Sequence, residues 1–90
     1  MRSVVADSLN NIPSYHVANA TFALIDRLQS DQRPGLHIAT AAALFLLICE
    51  RYGVSAQDAF TVTKNLMNDA DNRLVPQFAA IRQYLANELA

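Results

Sequence analysis

Little in this sequence interrupts a helix, and little in it suggests chemistry. Two glycines and three prolines are spread over 90 residues, and they fall where helix boundaries are needed. The sole cysteine, Cys49, has no partner for an internal disulfide, and its apolar surroundings point to a buried thiol in a reducing compartment, hence a cytoplasmic protein. Seven basic against eight acidic side chains leave a net charge of -1, which provides no long-range attraction for phosphate or for an anionic membrane. Segment 1–13 lacks the long apolar run and the small-residue cleavage pattern of a secretory signal. No glycine-rich phosphate loop, internal repeat, low-complexity tract or heptad run is present.

What is present is apolar surface. Hydrophobic residues make up 52% of the chain and charged residues 17%, enough burial potential to offset ordering entropy in one domain. The spacing predicts an all-α bundle of four main helices, 14–29, 36–52, 55–70 and 76–89, around a central apolar second helix. Residues 1–13 form a short helix or an arm. In the first main helix, Ser14 is placed to cap, and Val17, Ala18, Thr21, Phe22, Ile25 and Leu28 form the inner arc. The polar segment 30–35 makes the first loop, and Gly53 is placed to close the second helix in the left-handed conformation. Ser55 and Asp58 have the spacing of an N-cap and its third helical residue. Pro76 suits the first turn of the last helix, which carries Phe78, Ile81, Leu85 and Leu89 on one face.

The second helix has no polar face. Its longest apolar run, 38–49, is 12 residues broken only by Thr40, short of the roughly 20 that span a bilayer, so a core helix is expected. Its least apolar stripe is His37, Thr40, Leu44, Leu47 and Arg51. Two arrangements follow: three helices surround it, or the Leu44 and Leu47 stripe is left open as a protein interface. The second makes the chain a non-enzymatic interaction or regulatory module that docks on a protein partner or on itself as a homodimer.

Segment 48–62, ICERYGVSAQDAFTV, resembles the helix-turn-helix of bacterial repressors, with Cys49 at the small-residue position, Gly53 at the turn, and Ala59 and Val62 facing inward. The resemblance implies a DNA-binding regulator whose third helix reads the major groove through Gln57, Thr61, Lys64 and Asn65. Against it, the preceding helix is about twice the length usual for that motif, and Asp58, Asp69 and Asp71 outweigh Lys64 on the reading surface, where phosphate contacts are needed. Asp7-Ser8-Leu9 is similar to the attachment triplet of acyl carrier proteins, in which the serine begins a helix and bears phosphopantetheine. His16 and His37 lack metal-ligand companions, and Asp69-Ala-Asp71 lacks the glycine and terminal glutamate of a calcium loop. No serine or cysteine has a recognisable activating partner. No catalytic residue, metal, cofactor, membrane or small-molecule substrate is therefore expected.

Overall fold

Breaks in the sequence coincide with breaks in the backbone. The computed structural model describes residues 2–88, in which five helices follow one another: α1 (Arg2–Asn11), α2 (Ser14–Gln29), α3 (Pro34–Tyr52), α4 (Ala56–Met67) and α5 (Pro76–Glu88). The all-α class and the four main helices stand as read from the sequence, and the amino-terminal segment resolves as a helix. Leu89, expected on the last helix, lies outside the described residues.

Local chemistry explains most of the boundaries. Pro34 occupies the first turn of α3, where its missing N–H costs nothing. At the other end Gly53 takes φ 66°, its N–H donates to the Glu50 carbonyl, and the Val54 N–H donates to the Cys49 carbonyl, which satisfies the last carbonyls of α3. Ser55 then caps α4, its hydroxyl oxygen accepting from the Asp58 N–H at 3.3 Å.

Three details differ from expectation. Helix α3 starts at Pro34 rather than Leu36, so the Pro34-Gly35 pair expected in the loop forms its first turn, which Pro34 suits because its missing N–H has no helical partner there. Ser14 does not cap α2, because Pro13 holds the N-cap position; its hydroxyl instead donates to the Leu66 carbonyl at 2.7 Å and ties the start of α2 to the end of α4. Helix α4 stops at Met67 rather than near Ala70. An isolated bridge between Asn68 and Leu74, with the Val75 N–H donating to the Met67 carbonyl at 2.9 Å, turns the chain toward α5.

The packing also departs from the expected centre. The main cluster lies between α2 and α5, where Ala18 and Ile25 meet Phe78 and Ile81, walled by Leu66, Met67, Leu74 and Leu85. Tyr84 fastens the same pair, its hydroxyl donating to the Gln29 side-chain oxygen at 3.1 Å and its ring 4.8 Å from that of Phe22. Helix α3 packs on α4, and α1 on α4, but of α3 only Cys49 is buried. The most apolar helix is therefore not surrounded. The reason is geometric: the molecule measures 39 × 30 × 18 Å, about two helix layers deep, and among the described residues no third layer covers α3.

Candidate interaction surface

Helix α3 presents its side chains to three surroundings. Toward α4 and α1 it contributes Phe45, Ile48, Cys49 and Tyr52 to a groove of about 270 Å³, closed from the other side by Val5, Leu9, Val54, Ala59 and Thr63. Toward α2 it borders a second apolar cleft, about 330 Å³, lined by Leu24, Arg27, Leu28, Thr40, Ala41, Leu44, Phe45 and Ile48. The remaining arc faces solvent and holds Ala39, Ala43, Leu46 and Leu47.

Of the stripe singled out from the sequence, Thr40 and Leu44 line the α2–α3 cleft, while Leu47 belongs to the solvent-facing arc next to it. Leu44 and Leu47 are 45% and 62% exposed, and Thr40 and Arg51 are exposed beside them. Residues 37, 40, 44, 47 and 51 recur at three- and four-residue intervals, so they form one continuous strip on a helix. His37 at its upper end is half-buried, and its Nε2–H donates to the Asp31 carbonyl. Arg51 at its lower end sits over the Tyr52 ring, 5.4 Å from the centroid.

Asp31 and Arg33 brace the loop that feeds α3. The Arg33 guanidinium meets both Asp31 carboxylate oxygens, and the Arg33 N–H donates to the same carboxylate at 2.9 Å. That side-chain pairing, helped by the backbone donor, holds the Asp31 carboxyl below its ordinary range and raises Arg33 further above its own.

Sequence reasoning missed the α2 side of the cleft. Leu24 is 55% exposed, and with Arg27 and Leu28 it lines the cleft beside the α5-facing arc. The four-residue step from Leu24 to Leu28 was the signal, hidden because the inner arc already accounted for Leu28 and most other apolar positions.

The other candidate residues do not gather into a site. Gln57, Thr61, Lys64 and Asn65 are exposed on α4, where the Thr61 hydroxyl donates to the Gln57 carbonyl and Lys64 lies over the Phe60 ring. Asp58 is exposed on the same helix, and Asp69 and Asp71 are exposed in the loop that follows it. Ser8 sits inside α1, not at a helix start, which departs from the acyl-carrier pattern. Asp69 spends its carboxylate on the N–H groups of Asp71 and Arg73, folding its own loop. Among the described residues no three His, Cys, Asp or Glu side chains converge as a metal site. Comparisons with protein-family models, curated proteins and solved structures give no match for this chain.

Proposed function

We propose that this protein is a non-enzymatic helical interaction module that completes its own fold by self-association through α3. The carrying observation is its unburied surface. A folded monomer of 9.9 kDa scales to about 5,200 Å² of accessible surface. This chain exposes 6832 Å², roughly 1,600 Å² more. Removed from two copies, that excess is about 3,200 Å², within the range of obligate homodimers. Its radius of gyration, 13.9 Å, likewise exceeds the about 12 Å expected for a globule of this length. Exposed apolar side chains on α3, Leu44, Leu46, Leu47 and Ile48, are the surface a second copy would cover. The lone buried thiol of Cys49 supports a reducing, cytoplasmic setting.

Sedimentation equilibrium on the full chain tests this reading. The wild type should be dimeric at micromolar concentration, and Leu47→Glu should be monomeric with unchanged helical content, because position 47 faces solvent in the single chain. A wild type that stays monomeric to millimolar concentration would sink the proposal. Flotation of the wild type with neutral lipid vesicles would also count against it, since by length and composition α3 is the one described helix able to cross a membrane.

The repressor-like reading keeps one supporting observation, a capped α4 following a left-handed Gly53 turn with Gln57, Thr61, Lys64 and Asn65 outward. Retention on random-sequence DNA at low salt, lost in Lys64→Ala, would favour it over self-association alone.

A further inference from the structure

We infer that a second copy of this chain fills the α2–α3 cleft, its α3 lying antiparallel to the first with a two-fold axis beside Ala43 and Leu44, so that two α2–α3 pairs make one four-helix bundle. The inference rests on the self-association reading and adds the geometry.

The register follows from the connection. Residues 30–33 are a short connection between α2 and α3, which run back from it on either side of the cleft. Counting outward from it at about 1.5 Å per residue sets Arg27 level with Leu36, and Leu24 level with Ala39. An axis beside Ala43 and Leu44 then places Thr40 opposite Leu47 of the second copy. That Leu47 enters the cleft mouth at the level of Leu24. Alanine at 43 lets the backbones approach where the two helices cross, and the antiparallel arrangement opposes their dipoles. An isologous contact of this kind closes at two copies and exposes no further sticky face of the same type.

Charge selects the antiparallel arrangement. Glu50 lies in the last turn of α3, an unfavourable place for a carboxylate in a single helix. Across the axis it reaches the amino-terminal end of the other α3, at the level of Leu36 and His37 and therefore of Arg27. Among the described residues neither Glu50 nor Arg27 makes an ion pair, and both are exposed. The neighbouring Arg51 is drawn instead over its own Tyr52 ring. In a parallel pair Glu50 would meet Glu50 and Arg27 would meet Arg27, each a like-charge contact.

Two measurements on the full chain test the arrangement. In sedimentation equilibrium, Arg27→Glu and Glu50→Arg should each weaken the dimer about tenfold, and the double exchange should restore it to within about threefold of wild type. In Cys49→Ala chains, a short bismaleimide should link Ala43→Cys to itself and leave Leu36→Cys unlinked, because two copies of position 36 lie about 22 Å apart in this register. Should Cys49→Ala fail to fold, Cys49 is kept, its buried thiol being out of the reagent's reach. Linking through Leu36→Cys, or additive weakening in the double exchange, would overturn the arrangement while a dimeric wild type left the self-association reading standing. A monomeric wild type would overturn both.

Discussion

Helices α3 and α5 invert the usual relation between apolarity and burial. Helix α5 mixes Phe78, Ile81 and Leu85 with Gln77, Arg82, Gln83 and Asn87, yet it buries two large side chains. Helix α3 has apolar residues all round and buries only Cys49. The difference lies in the neighbours. Helix α5 meets a matching stripe on α2, including Ala18, which lets the helices approach. Helix α3 has α4 and α1 on one side and an open cleft on the other. Apolar composition thus states a need for cover, and the cover has to come from some other element, in this chain or in another.

The comparison can be broken most directly by the same substitution in both regions. Ile81→Ala should cost about 2–5 kcal/mol in urea denaturation, through lost burial and the cavity left against Ile25 and Phe78. Ile38→Ala, at a position 72% exposed and away from the α2–α3 cleft, should cost less than about 0.5 kcal/mol. Equal costs would mean that α3 is as well packed as the α2–α5 cluster. The turn that closes α3 and leads into α4 has an intermediate effect. Gly53→Ala forces a side chain into the left-handed region and should lower stability by about 1 kcal/mol, visible as a shifted urea midpoint at constant slope.

Acid sharpens the smallest difference, at the loop leading into α3. Arg33 lowers the Asp31 carboxyl from its ordinary value of 3.8, first through the side-chain hydrogen bond and then through its backbone N–H, with a further contribution from the charge of His37. A carboxyl lowered by folding stabilises fully above its unfolded value and loses that contribution as pH falls through the folded one. NMR titration of Asp31 should therefore give a midpoint below 3.8, moving up in Arg33→Ala. A midpoint at or above 3.8 would show that the pair does not persist in solution. Because both groups lie at the surface, global stability should hardly respond.

Much of the helical framework was legible in the residues. Gly53, Ser55 and Pro76 mark boundaries through interactions within a few positions, and those marks hold. The role of Ser14 was not legible, since its partner is a carbonyl 52 residues away. Nor was the early stop of α4, which depends on the return of Leu74 to Asn68. In the candidate surface, Leu44 and Leu47 could be named as one stripe of α3, whereas Leu24 and Ile48 became part of it only when α2 and α3 were seen to splay.

By itself the sequence determined that there are helices, the boundaries marked by Gly53, Ser55 and Pro76, and how apolar each helix is, because caps, turns and side-chain periodicity are short-range properties of the chain. Only the tertiary structure decided that α2 and α5 share the main cluster and that α3 stays largely uncovered. Burial depends on which distant surface arrives opposite a side chain, and an apolar helix satisfies its own backbone equally well under any of the surfaces that could cover it.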